Sequence, residues 1–261
     1  MDGARAGVLY AVPREARAVG AEWDWLAEAS VRPPVFGPEL IKDLPEPARR
    51  WLAHVIAPGT PLWRTVVVTM HGQIRLSVWR RFTAHQVITV PEGYIWAATV
   101  RMMGLPITGF DRLSSGTGQM SWRLLGLARV MTADGPDITR SAAGRLVAEI
   151  ALVPTAFRAV TWTAGTHRDS AIATCQAGGE TEHAELRVGP DGRLLEVTVN
   201  RWGNPDGEPY GRYPFGMTTE AEAIFAGVTL PVAFRAGWWW GTDRQESGEF
   251  FRGRITGAVF R

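Results

Sequence analysis

Cysteine, lysine and long apolar runs are scarce in this chain of 261 residues. Cys175 is the single cysteine, which excludes an intramolecular disulfide and argues against a cysteine-based metal site. No run of about 18 apolar residues occurs, so the sequence predicts no membrane-spanning helix. Residues 1–10 lack the apolar core of a secretory signal. These absences lead us to expect a cytoplasmic protein.

An excess of charge of either sign is also absent. Lysine and arginine number 28 against 26 aspartates and glutamates, for a formal net charge of +2. Lys42 is the single lysine, and the arginines are scattered among acids instead of clustered. Because nucleic-acid binding needs a concentrated basic surface, we expect no nucleic-acid partner.

The motifs of common catalytic sites are missing as well. The segment 116–120 resembles half of a dinucleotide fingerprint, but the required strand, helix and acidic ribose ligand do not surround it. The five histidines include no pair at i and i+4 that could hold a metal on one helix face. We therefore expect no cofactor and no bound metal.

Two segments have helical periodicity. In residues 45–56 the apolar side chains recur at the three-and-four spacing of a core-facing helix, and Pro58-Gly59 ends the pattern. Residues 141–154 predict a central helix, with Ser141 as its N-cap and Pro154 near its end.

The remaining sequence is typical of short antiparallel strands. Between residues 65 and 132 apolar alternation is interrupted by turn signals, and His71-Gly72 is expected to be a turn or bulge. The same pattern returns after the central helix. Residues 203–216 are expected to form a loop. The prediction is a mainly β (α+β) fold, a curved antiparallel sheet forming a half-barrel or barrel, with one central and one N-terminal helix packed on it.

We expect two parts in the chain. Residues 38–261 form a single half-barrel domain, and residues 1–37 form an N-terminal extension that packs on it through Trp23, Trp25 and Leu26.

Several strings resemble those of an actinobacterial family of uncharacterised conserved proteins that carries a domain of unknown function. The strings are 44–51, 58–61, 82–86, 94–98, Asp111 with 116–120, 145–149 with Pro154, 201–205 and 237–243. The resemblance implies one domain from about residue 38 and supplies no activity. The order of helices and strands is also similar, more weakly, to the half-barrel of bacterial lipoprotein carriers, which implies a hydrophobic cavity plugged by helices.

Strand alternation indicates where charged groups face the interior. Arg201 continues the apolar row of Val197 and Val199, so it needs a partner, because an unpaired buried charge is costly. Asp111 and Glu149 are the candidate partners, although Glu149 can also form a surface pair with Arg145 one helical turn away. His85 is a further candidate acid or base.

Twelve tryptophans suggest an aromatic wall. Phe234, Trp238 and Trp240 are expected to share one strand face, and Tyr94 and Trp96 another. The candidate ligand-binding residues are Tyr94, Trp96, Trp122, Phe234, Trp238 and Trp240. The alternative is that these rings only fill a barrel interior.

Three functions are compatible with this sequence. The first is binding of a lipophilic small molecule in an aromatic-lined β-barrel cavity. The second is a cofactor-independent isomerase, cyclase or hydrolase for a polyketide-, terpenoid- or lipid-like substrate, with Asp111 or Glu149 as acid or base and Arg201 stabilising negative charge. The third is a structural or interaction protein with a filled core.

Overall fold

A computed structural model describes residues 11–261. Within this part the strands form one antiparallel sheet of thirteen, in the order β6-β5-β4-β3-β2-β1-β13-β12-β11-β10-β9-β8-β7. The strands are β1 Thr65–Leu76, β2 Val78–Thr89, β3 Gly93–Met102, β4 Leu105–Ser114, β5 Thr117–Leu124, β6 Ala128–Asp134, β7 Thr161–Ala164, β8 Ser170–Ala177, β9 Glu180–Val188, β10 Leu194–Gly203, β11 Gly211–Phe225, β12 Val228–Trp238 and β13 Glu249–Phe260. Because β6 and β7 do not pair with each other, the curved sheet is unclosed, which confirms the predicted curved antiparallel sheet as a half-barrel and not a closed barrel.

Short helices accompany the sheet. The α-helices are α1 Gly20–Leu26, α2 Glu46–Val55, α3 Pro136–Ala148 and α4 Gln245–Gly248, and 3-10 helices cover Arg14–Val19, Pro38–Ile41, Glu149–Leu152, Pro154–Ala159 and Pro205–Gly207. The predicted N-terminal helix corresponds to α2 and the predicted central helix to α3.

Helix α3 joins the two halves of the sheet. It packs against β4 and β5 on one side and against β8, β9 and β10 on the other. It begins at Pro136, five residues before the predicted N-cap Ser141, because proline fits the first helical turn and Gly135 turns the chain with a φ of 97°. The helix therefore spans the concave side between the two halves of the sheet.

Two strand predictions are wrong. β1 continues through His71-Gly72 without a turn or bulge, and its one register shift against β13 lies between Thr69 and Met70. A Cβ at Gly72 would lie 2.0 Å from the carbonyl oxygen of Arg252, so this glycine permits the close approach of β13. Residues 203–216 are also not one loop, since β11 begins at Gly211.

Hydrophobic side chains bury both faces of the sheet. The concave face holds the main core with α2, α3 and the 3-10 helices after it. On the convex face Trp23 and Leu26 of α1 pack against Val67, Val87 and Ile95 in a second, smaller core, whereas Trp25 is 47% exposed. The packing predicted for Trp25 is therefore wrong, and the domain boundary at residue 37 stays a prediction.

Candidate functional site

A charged cluster lies where α3 meets the concave face. Arg145 donates from Nε to Oε1 of Glu149 at 2.7 Å and forms an ion pair from Nη1 to Oδ2 of Asp111 at 3.4 Å. Oδ1 of Asp111 accepts from the indole of Trp122 at 2.9 Å, and Oε2 of Glu149 accepts from the amide of Gln86 at 2.6 Å. The side chains of the three charged residues are only 16–18% exposed. Both carboxylates are thus supplied with partners.

Aromatic rings line the base of this cluster. The guanidinium carbon of Arg145 lies 4.6 Å from the centroid of the Tyr94 ring and 5.5 Å from that of Trp96. Burial raises the pKa of Tyr94 to about 12, against the opposing effect of Arg145. Tyr94 is therefore a neutral phenol beneath a permanent cation.

Electrostatics in the cluster favour the charged arginine. Burial raises the pKa of Asp111 above its ordinary value, although Arg145 and the Trp122 hydrogen bond oppose the rise. Burial acts to lower the pKa of Arg145, but the carboxylates of Glu149 and Asp111 raise it above its ordinary value overall. Arg145 is consequently the fixed positive centre around which the acids are arranged.

Arg201 is placed differently from the prediction. Its Nε donates to the backbone oxygen of Ser141 at 3.0 Å and its Nη2 to the Ser141 hydroxyl at 3.3 Å. Its guanidinium carbon lies 4.8 Å from the ring centroid of Phe215 and 5.0 Å from that of Trp238. No carboxylate among residues 11–261 lies within 4.0 Å of Arg201, so its predicted pairing with Asp111 or Glu149 is wrong. Those acids are already taken by Arg145.

The environment of Arg201 is unfavourable for its charge. Burial, and the neighbouring charge of Arg145, lower the pKa of Arg201 to about 10. The Ser141 oxygens are neutral acceptors, and Glu149 and Asp111 oppose the fall in pKa only from a distance, so within residues 11–261 no carboxylate pairs directly with this cation.

The predicted aromatic residues of the concave face pack on one another. Trp96 lies 5.7 Å from Trp122 and 5.6 Å from Phe82 between ring centroids, and Phe234 stacks on Phe251 at 5.9 Å. These rings belong to the main core. The indole nitrogen of Trp96, which is 2% exposed, has no hydrogen-bond partner among the described residues.

Two predicted site residues lie on the opposite face. His85 is exposed on the convex side, because it alternates with buried Ala84 and Gln86 on β2. Trp240 also faces the convex side, where its indole donates to Glu196. Trp239 adopts a φ of 60°, which breaks the alternation that placed Trp240 beside Trp238.

Three surface clefts lie away from the charged cluster. One of about 550 Å³ on the convex side includes Glu182, His183, Arg212 and Trp240. A second, of about 1080 Å³, includes His85 with other polar residues of β1 to β3, and a third of about 210 Å³ lies beside the end of α1. Within residues 11–261 no group of three or more metal-binding side chains comes together, and no helix has the length and apolar character needed to span a bilayer.

Sequence reasoning missed several residues of the site, among them Gln86, Ser141, Phe215 and Phe251. They provide an amide, a helical carbonyl and two rings. Gln86 follows Phe82 and Ala84 and precedes Ile88 at a spacing of two residues on β2, so it shares their face of the sheet. This spacing could have placed Gln86 on the concave face. Nothing local indicates the partners of Ser141, which lies 60 residues from Arg201.

These features define an open antiparallel half-barrel with a helix and a buried arginine–carboxylate cluster on its concave face. The chain belongs to DUF6544, a family of unknown function whose model matches residues 34–250. A comparison with curated proteins gave no match.

Two solved structures are similar to the chain. One is described as a putative outer membrane lipoprotein-sorting protein domain from Vibrio parahaemolyticus, with 9% identity, a TM-score of 0.42, and coverage of 86% of this chain and 94% of that chain. The other is a LolA superfamily protein from Nitrosomonas europaea, with 10% identity, a TM-score of 0.39, and coverage of 76% and 85%. The predicted similarity to lipoprotein carriers is thus found, at a level that does not bear on function.

Proposed function

We propose that this protein binds a lipophilic small molecule that carries an anionic head group. The observation that supports the proposal is Arg201, a cation held between Phe215 and Trp238 with two neutral oxygens as its hydrogen-bond acceptors. A carboxylate or phosphate on a ligand would supply the missing counter-charge, and the neighbouring rings suit an apolar chain.

The surroundings of Arg201 support an amphiphilic ligand. Half-buried apolar side chains adjoin the core along one end of the concave face, namely Ile74, Met102, Leu124, Trp238, Phe250 and Phe251. The unpartnered indole nitrogen of Trp96 is a further donor in the same interior. We infer that the ligand's tail follows this apolar strip while its head group contacts Arg201.

The carboxylates favour binding over catalysis. Asp111 and Glu149 each accept two hydrogen bonds or ion-pair contacts, from Arg145 and from Trp122 or Gln86. An acid or base in a catalytic site needs a free position toward the substrate, and these oxygens are occupied by protein donors. The expected cytoplasmic location stays a prediction.

A fluorescent fatty acid and the matching fatty alcohol test this proposal directly. We expect the acid to bind about ten-fold more tightly than the alcohol, because a charge-assisted hydrogen bond contributes about 1.5 kcal/mol or more. Arg201→Gln should abolish the preference, and Arg201→Lys should retain part of it. The ratio of the two affinities is informative even if a variant is less stable.

Arg187→Gln is the matched control. Its side chain is 42% exposed and pairs with Glu196, away from the Phe215 and Trp238 rings. Equal affinity for acid and alcohol in the wild-type protein, or absence of binding to both, would overturn the proposal.

A further inference from the structure

Three hairpin turns at one end of the sheet expose large apolar side chains. The turns join β1 to β2, β3 to β4 and β5 to β6. Every second hairpin turn of an antiparallel meander lies at the same end of the sheet, so these three turns lie together. The exposed residues are Leu76 at 43%, Val78 at 50%, Met103 at 83%, Leu105 at 45%, Leu125 at 54% and Leu127 at 80%. We call these residues the apolar tips.

Turn geometry does not require these side chains. Met103-Gly104 and Leu125-Gly126 have positive φ at both positions, a conformation that favours Asn-Gly or Asp-Gly. Ser115-Gly116, in the turn at the opposite end of the sheet, also has positive φ at both positions, and there the first residue is small and polar. Methionine and leucine here accept both an unfavourable backbone conformation and exposure to water, so their side chains point to a role outside the fold.

The same hairpins are strongly basic. Residues 72–81, 99–108 and 121–133 contain no aspartate or glutamate. Their arginines are Arg75, Arg80, Arg81, Arg101, Arg123 and Arg129. None of these six forms an ion pair with any residue between 11 and 261, although most other arginines of the protein do.

Cross-strand pairing concentrates this charge. Arg123 and Arg129 are direct partners across β5 and β6, an arrangement that repels without a counter-ion. Trp79 lies beside the tips with the guanidinium carbon of Arg252 at 4.4 Å and that of Arg75 at 5.8 Å from its ring. Apolar tips, a tryptophan and unpaired arginines are the side chains that insert into and bind a negatively charged lipid–water interface.

We propose that this end of the sheet, with its three hairpin turns, docks the protein on an anionic lipid bilayer. The apolar tips enter the outermost acyl region, and the six arginines contact lipid phosphates. Ile74 is paired with Phe251 on the concave side of the same sheet end, so docking brings the apolar strip of the concave face next to the membrane.

Flotation of the full chain with vesicles tests the proposal. Vesicles of phosphatidylcholine alone are compared with vesicles of equal parts phosphatidylcholine and phosphatidylglycerol. We expect binding to the anionic vesicles that weakens as salt is added, and little binding to the neutral ones. The triple variant Met103→Ser, Leu125→Ser, Leu127→Ser should lower the partition coefficient about ten-fold or more.

A charge variant separates the two contributions. Arg101→Gln, Arg123→Gln and Arg129→Gln together should remove most of the preference for phosphatidylglycerol, at roughly five-fold per arginine. The matched controls are Ile224→Ser and Arg168→Gln. Ile224 is 73% exposed near the opposite end of the sheet, and Arg168 lies on an exposed loop. Both controls should bind as the wild type does.

Three results would overturn the proposal. The first is wild-type protein that stays unbound with both vesicle types, and the second is a tip variant that floats like the wild type. The third is self-association of the wild type without vesicles that the tip variant abolishes, since the apolar tips would then join two copies of the chain. The fatty-acid titration of the tip variant should be unchanged, so membrane docking and the ligand site succeed or fail separately.

Discussion

Gly144 on α3 leaves the space that Arg201 on β10 occupies. A Cβ at Gly144 would lie 2.9 Å from Cγ of Arg201, closer than side chains pack. The small residue therefore allows the arginine to run along the helix and reach both Ser141 oxygens.

We predict that Gly144→Ala displaces Arg201. Alanine raises helix propensity by about 1 kcal/mol, but each lost hydrogen bond from a charged donor costs about 1.5–3 kcal/mol, so the loss of two gives a net loss of about 2–5 kcal/mol. Urea unfolding measures this change, and the fatty-acid titration should show weaker binding. A more stable variant with unchanged binding would contradict this account.

Asp111→Asn tests the electrostatics of the cluster. Because burial raises the pKa of Asp111, the folded protein holds this proton more tightly than the unfolded chain does. Its contribution to the free energy of unfolding is fully present below the ordinary pKa of 3.8 and is lost as pH rises through the folded-state pKa. Asparagine removes this loss and keeps an oxygen for Trp122.

The expected result is a variant that gains stability relative to wild type as the pH rises above 3.8, the ordinary pKa of the carboxyl group. Urea unfolding at each pH measures the difference. Asp191→Asn, at a carboxylate 59% exposed, controls for the loss of one negative charge. A relative stability that falls as pH rises would show that the pairing with Arg145 outweighs burial.

Glu182 on β9 and Arg212 on β11 form an ion pair in which the glutamate is buried and the arginine is partly exposed. Glu182 is 1% exposed and accepts two hydrogen bonds of 2.9 Å from the Arg212 guanidinium. Arg212→Met should lower the free energy of unfolding by about 3 kcal/mol, because it leaves a buried carboxylate unpaired. Addition of Glu182→Gln should recover part of that loss in a double-mutant cycle.

The more exposed pair of Arg187 and Glu196 is the comparison for that cycle. Its coupling energy should stay below about 1 kcal/mol, as is usual for surface ion pairs. Equal coupling in the two pairs would mean that burial of Glu182 contributes little.

Trp96 and Trp122 provide a matched pair of substitutions. Both are buried and in contact, but only Trp122 donates its indole N–H to a carboxylate, that of Asp111. Phenylalanine removes a similar volume at either position. Trp122→Phe should therefore be the more destabilising by about 1.5 kcal/mol, measured by chemical denaturation. Equal losses would indicate that Trp96 has a donor contact of similar strength.

Strand alternation predicted which side chains enter the concave face wherever a strand is regular. Tyr94, Trp96 and Ala98 on β3 lie together as expected, and so do Val197, Val199 and Arg201 on β10. The prediction failed at Trp240, because a single left-handed residue, Trp239, resets the period. Backbone conformation at one tryptophan is not visible in a two-residue repeat.

The sequence by itself determined the curved antiparallel sheet, as a half-barrel or barrel, together with the central helix and the set of charged residues that had to find partners. Only the tertiary structure decided the pairing, because Asp111 and Arg145 are 34 positions apart and meet through the packing of α3 on β4. Once Arg145 holds both Asp111 and Glu149, Arg201 is left with neutral acceptors. That competition depends on where the helix lies in three dimensions, which no local pattern of residues specifies.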